Sequence, residues 1–126
     1  MEESKELALI IEDDLQTSEI FEAAISGAGY RTEVLRDGQA ALDRLQRDQD
    51  PPYLIVLDMH LPHVSGDNIL DYVVQDERLK DLRVIVASAD AGLAELQQYK
   101  KERNILIMLK PVSFAQLLQL SKRFLP

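Results

Sequence analysis

The stretch Tyr53-Leu54-Ile55-Val56-Leu57-Asp58-Met59-His60-Leu61-Pro62 decides how this chain is read. Five apolar, mostly β-prone residues run straight into one aspartate, and Pro62 stops regular structure four residues later. A near-continuous apolar run of this length predicts a strand buried on both faces, as in the middle of a parallel sheet. Pro51-Pro52 bounds it on one side and residues 62–66 bound it on the other. Asp58 therefore falls where a central strand emerges at its carboxyl end, the edge at which open α/β sheets place their ligands. A carboxylate there is a nucleophile, a metal ligand or an ordinary loop cap, and the rest of the chain has to choose.

Outward from that strand the same alternation repeats. Residues 7–11 form a second apolar run ending in Glu12-Asp13-Asp14, read as a strand and an acidic loop with Asp14 as an N-cap. Phe21, Ala24, Ile25 and Ala28 follow the i, i+3, i+4, i+7 spacing of an amphipathic helix, and Gly29 suits a left-handed cap. Residues 31–35 alternate polar and apolar, as a strand near a sheet edge does. Asp37-Gly38 reads as a turn before a helix whose stripe is Ala40, Ala41, Leu42 and Leu45. Beyond Asp58, residues 67–76 carry Ile69, Leu70, Val73 and Val74 on one helical face. Residues 83–87 are a fourth strand, with Ser88 directly after it. Residues 91–103 read as a helix with Leu93, Leu96 and Lys100 on one side and Tyr99 close by. Residues 105–109 are the fifth strand, ending in Lys110-Pro111. Ser113 and Gln116 match a capping box for a last helix with Phe114, Leu117, Leu118, Phe124 and Leu125 on its apolar face.

Five strands alternating with helices imply an α/β, doubly wound parallel sheet with helices on both faces and right-handed crossovers. No repeat, low-complexity tract or long linker divides the 126 residues, so one domain over residues 1–126 is expected. Hydrophobic residues at 46% and charged residues at 29% are ordinary for a soluble globular protein. A net charge of -8 argues against direct nucleic-acid binding, which needs a basic face. No apolar run approaches the roughly 20 residues of a membrane span. The acidic start, Met1-Glu2-Glu3, is not that of a signal or transit peptide, and cysteine is absent; a cytoplasmic location is the expectation.

All strands of a parallel sheet share one carboxyl edge. Glu12 and Asp13 stand there after the first strand, Asp58 after the third, Ser88 after the fourth and Lys110 after the fifth. Crowded carboxylates repel one another unless a cation sits among them. Mg²⁺ suits that place, since it takes oxygen ligands and is commonly shared with a phosphate. A lysine and a hydroxyl nearby supply what a phosphoryl group needs, and an aspartate can become an acyl phosphate. The constellation reads as Mg²⁺-assisted phosphoryl transfer onto Asp58.

Taken in order, Ile10-Ile11-Glu12-Asp13-Asp14, Asp37-Gly38 with Ala41-Leu42, Leu57-Asp58-Met59-His60-Leu61-Pro62 with Ser65-Gly66, Val86-Ala87-Ser88-Ala89 and Leu109-Lys110-Pro111 resemble the motifs of a two-component response-regulator receiver domain of the CheY-like, single-domain kind. The resemblance covers essentially the whole chain. It implies strand order 2-1-3-4-5. It also implies Asp58 as phosphoacceptor, with Ser88 and Lys110 on the phosphoryl oxygens. Asp13 and Asp58 would hold Mg²⁺, with Glu12 acting through water and His60 through its backbone carbonyl. The Lys110–Pro111 bond would be cis. Partners would be a histidine kinase or phosphotransfer protein and a downstream effector. A homodimer through the last two helices and the fifth strand is a further expectation. Such a protein is not an enzyme beyond its own phosphorylation and dephosphorylation, and no output domain is expected in this chain.

Two departures stand out. Ile107 occupies the place of the usual aromatic three positions before the lysine, and Arg103-Asn104 replaces a common Gly-Ala pair. Ile107 favours an alternative, a receiver-fold interaction module that phosphate does not switch, while the acidic pocket and Lys110 argue against it. A phosphatase of the aspartyl-phosphate type would want D-x-D where His60 stands, and a nucleotide-binding protein would want glycine-rich loops that are absent. His60 and His63 have H-x-x-H spacing, but no third zinc ligand is in sight. His60 and Asp90 would rim the pocket and tune hydrolysis of the phosphoryl group. Leu93, Leu96, Tyr99 and Leu120 are read as a partner surface or as core.

Overall fold

The computed structural model describes residues 5–89, 98, 99, 102 and 104–126. Five strands form one parallel sheet: β1 (Leu7–Ile11), β2 (Arg31–Leu35), β3 (Leu54–Asp58), β4 (Arg83–Ser88) and β5 (Ile105–Leu109). Their order is β2-β1-β3-β4-β5, as the resemblance implied. Helices α1 (Leu15–Ala28), α2 (Gly38–Leu45) and α3 (Gly66–Gln75) and a C-terminal helix (Phe114–Phe124) surround the sheet, and a short 3-10 turn (Glu77–Leu79) follows α3.

Strands β1 and β3 are buried along their whole length, which is why their sequences run apolar without alternation. Alternate residues feed two cores. Leu9, Ile11, Ile55, Leu57, Val84 and Val86 face Ala41, Leu45, Ile69, Leu70 and Val73 of α2 and α3. Ala8, Ile10, Leu54, Val56, Ile85 and Ala87 face Phe21, Ala24, Ile25 and Ala28 of α1 and Leu117 of the C-terminal helix. Each fully buried Leu, Ile or Val contributes roughly 1.5–3 kcal/mol, so the layers are held chiefly by these residues. Strand β2 lies at the edge and is only half-buried, as its alternating sequence predicts.

The predicted caps form. Asp14 accepts from Thr17 N, Ser113 accepts from Gln116 N, and Gly29 adopts φ 114 at the end of α1. Two tyrosines pin the C-terminal helix to the sheet. Tyr30 Oη donates to Ser121 O at 2.7 Å, and Tyr53 Oη donates to Phe124 O.

Several expectations are corrected. Asp37-Gly38 is not a turn: Asp37 caps α2 by accepting from Ala40 N at 2.7 Å, and Gly38 is already helical. Val74 is 46% exposed rather than core, because the end of α3 opens onto a groove shared with Leu79 and Ile105. Phe114 is 45% exposed, because the first turn of its helix sits beside Ile20 and Ala23 on the outer side of α1. Of the residues read as partner surface or core, Tyr99 is buried and Leu120 packs against the core, as the second of those readings has it. The helix predicted over residues 91–103, with Leu93, Leu96 and Lys100, lies outside the described residues apart from Gln98, Tyr99 and Glu102, as does Asp90.

Candidate functional site

The register aligns the carboxyl ends of the central strands. Ile11 pairs with Leu57, Asp58 with Ala87, and Ser88 with Leu109. The residues next in sequence therefore meet at one edge. Glu12 N donates to Leu35 O at 3.0 Å, which holds the acidic loop on β2. Asp14 N donates to Glu12 Oε2 at 3.3 Å, while the Asp14 carboxylate caps α1 and stays exposed. At the end of β3, His60 N donates to Asp58 Oδ1 at 3.2 Å. Beyond β5, Lys110 N donates to Ser88 O at 2.7 Å and the Lys110–Pro111 bond is cis. This brings Lys110 Nζ to 3.0 Å from Asp58 Oδ1 and 3.7 Å from Glu12 Oε1.

Glu12, Asp13 and Asp58 each offer a carboxylate oxygen, and these oxygens lie within 4.8 Å of one another. Glu12 and Asp58 are almost fully buried, whereas Asp13 is exposed. Burial, then the hydrogen bond and negative charge of Asp58, pushes the Glu12 carboxyl up to about 7; the Asp14 amide and Lys110 oppose this. Lys110 is raised overall. Burial acts to lower it, but the Asp58 hydrogen bond and the charges of Asp58, Glu12 and Asp13 outweigh burial. Among the described residues Glu12 Oε1 is buried without a hydrogen-bond partner, and a cation among the three carboxylates would satisfy it. An all-oxygen donor set of high charge fits a hard cation such as Mg²⁺.

Glu12, Asp13, Asp58, the His60 backbone, Ser88 and Lys110 thus stand at one edge of the sheet. Ser88 is fully buried at the end of β4. Among the described residues neither His60 nor His63 belongs to a group of three metal-ligating side chains. Sequence reading missed an apolar rim. Thr17, Ile20, Phe21, Pro111 and Val112 line a groove of about 370 Å³ that reaches Lys110. The signal was there in Ile20, an apolar residue off the buried stripe of α1.

A five-stranded parallel sheet in order 2-1-3-4-5, with acids at the carboxyl ends of β1 and β3 and a lysine after β5, places the chain in the flavodoxin-like α/β class. The sequence profile of the response regulator receiver domain matches residues 8–122, and the chain belongs to this family. It is 31% identical over 117 residues to the polar-differentiation response regulator DivK of Brucella ovis, covering 93% of this chain and 94% of that one. It is 30% identical to the probable methanogenesis regulatory protein FilR2 of Methanothrix harundinacea, covering 88% of this chain and 76% of that one. The chemotaxis response regulator CheY4 of Vibrio cholerae superposes with a TM-score of 0.82 at 20% identity, over 97% of this chain and all of that one. The chain is thus a receiver domain of two-component signalling, a class that is generally non-enzymatic and works with histidine kinases and effectors. Receiver domains bind Mg²⁺ at an acidic pocket. Among the described residues no helix is long and apolar enough to cross a membrane.

Proposed function

We propose that this receiver accepts a phosphoryl group on Asp58 from a histidine kinase or a phosphotransfer protein in a Mg²⁺-dependent reaction. It then signals by protein–protein contact. The observation that carries the reading is the 3.0 Å pair of Lys110 Nζ and Asp58 Oδ1 beside three carboxylates within 4.8 Å.

A carboxylate oxygen of Asp58 attacks the phosphorus of a phosphohistidine, and the P–N bond breaks with its electron pair going to the imidazole. Lys110 pairs with a phosphoryl oxygen, and the Ser88 hydroxyl donates to another. Glu12, Asp13, Asp58 and the His60 carbonyl are the groups that would hold Mg²⁺. When bound, the ion neutralises charge that builds on the transferring group. Burial of Asp58 and Glu12 keeps the exchange away from bulk water. The apolar rim of Ile20, Pro111 and Val112, with Phe114 beside Ile20, offers the phosphodonor a contact surface next to Lys110. Leu106 and Leu109, exposed on β5, are the residues that a homodimer through this edge would cover.

A second reading, a module that phosphate does not switch, rests on Ile107. That side chain is half-buried and packs on the α2–α3 core where an aromatic is usual. Intact mass after incubation with Mg²⁺ and a small acyl-phosphate donor, with Asp58→Asn alongside, separates the two. One phosphate adduct, lost in the variant, is expected. No adduct from this donor or from several phosphorylated kinases would leave the second reading standing.

A further inference from the structure

The loop between Asp58 and α3 carries the His60 carbonyl, yet little holds it from within. At its start His60 N donates to the Asp58 carboxylate at 3.2 Å; its further bonds are Val64 N to Pro62 O at 2.9 Å and Gly66 N to Met59 O at 3.3 Å, and His63 sits in the left-handed region at φ 71. Beyond these bonds, Met59, Leu61 and Val64 pack on the core and α2 supports the rest. Gly38 N donates to Pro62 O at 3.2 Å. A Cβ on Gly38 would lie 1.8 Å from Val64 O, 2.6 Å from Val64 C and 2.7 Å from Val64 Cβ. On the other side, a Cβ on Gly66 would lie 2.7 Å from Met59 Cα and 3.1 Å from Asp58 O.

Neither glycine has a positive φ, so backbone freedom does not explain them. Space does. Two segments of backbone touch where a side chain would stand. Resting on the reading of Asp58 as phosphoacceptor, we propose that Gly38 is a positioning residue for the reaction. By lacking a side chain it seats the loop of residues 59–65 against the first turn of α2 and so sets where the His60 carbonyl faces the carboxylates. Gly66 does the same from α3.

The loop, not the helix, yields to any side chain at position 38. Helix α2 is locked below by Ala41 and Leu45 in the core, at its start by the Asp37 cap, and at its end by Arg78 Nη2, which donates to Leu45 O at 3.1 Å. The contact at Val64 has to open from 1.8 Å to beyond 3.0 Å. Within so short a loop that displacement reaches His60.

The test compares wild type, Gly38→Ala and Val73→Ala, the last a core change at the far end of α3 that serves as a control for lost stability. Calorimetric titration with Mg²⁺ and amide hydrogen exchange of His60, Val64 and Gly66 in metal-free protein are the readouts. Gly38→Ala is expected to weaken Mg²⁺ binding at least fivefold and to speed exchange of those amides selectively, while Val73→Ala does neither. A smaller loss, or exchange matching the control, overturns the proposal. Should Gly38→Ala fail to fold, Gly66→Ala decides by the same criteria. Should wild type bind no Mg²⁺, the metal-dependent reading of Asp58 fails, and the exchange data alone judge the positioning role.

Discussion

Glu12→Gln in metal-free protein gives a pH-dependent gain in stability whose sign follows from the pocket. The unfolded chain ionises Glu12 near 4.5, and the folded chain holds its proton to about 7. Between those values the folded state binds more protons than the unfolded one, so wild-type stability falls as pH rises through the window. Glutamine keeps the shape and can still accept from Asp14 N, but it carries no charge to desolvate. At pH 5 Glu12 is protonated in the folded protein and the two chains differ little. At pH 8 the buried carboxylate costs the wild type roughly 2–3 kcal/mol more than at pH 5, from about 1.4 kcal/mol per pKa unit. For a chain of this size that is a gap on the order of 10 °C in melting temperature. Thermal melts of both proteins in a chelator at pH 5 and pH 8 measure it. Saturating Mg²⁺ at pH 8 closes the gap, because the cation stabilises the wild type more than the variant. A gap that is equal at both pH values, or a wild type that is the more stable at pH 8 without metal, would refute the argument that Glu12 is buried against Asp58.

Other consequences are tested more simply. Lys110→Met removes the cation already seated among the carboxylates, so calorimetry should find Mg²⁺ binding tightened by about tenfold even as phosphorylation slows. Arg44 is buried with its guanidinium on Glu33, Gln49 O and Asp50 O, and Arg44→Ala should cost about 2–3 kcal/mol in urea unfolding. Tyr30→Phe removes the bond to Ser121 O and should cost about 1 kcal/mol in the same assay. Gly29→Ala places a Cβ on a residue at φ 114 and 3.3 Å from Leu125, so a loss of about 1–2 kcal/mol is expected.

The sheet was legible because strands buried on both faces leave unbroken apolar runs, and β1 and β3 are such strands. The site was legible for a related reason: polar residues that end such runs share an edge whatever the strand order. What was not legible depends on where one element meets the limits of another. Helical periodicity picked out Val74 and Phe114, but it does not say where the sheet stops beneath a helix. Asp37-Gly38 carried a familiar turn signal, while the demand on Gly38 comes from Val64, 26 positions later (64 − 38). The burial of Arg44 depends largely on backbone carbonyls, which leave no mark in a sequence.

Lys110 and Asp58 stand 52 positions apart and meet only once β4 and β5 have completed the sheet, whereas the acids after β1 join Asp58 through the direct pairing of β1 with β3. A copy in which β5 has not yet joined β4 would not present Lys110 to Asp58. Under the proposed function such a copy would be a poor phosphoacceptor. Competence to receive a signal is in this sense a certificate of complete folding.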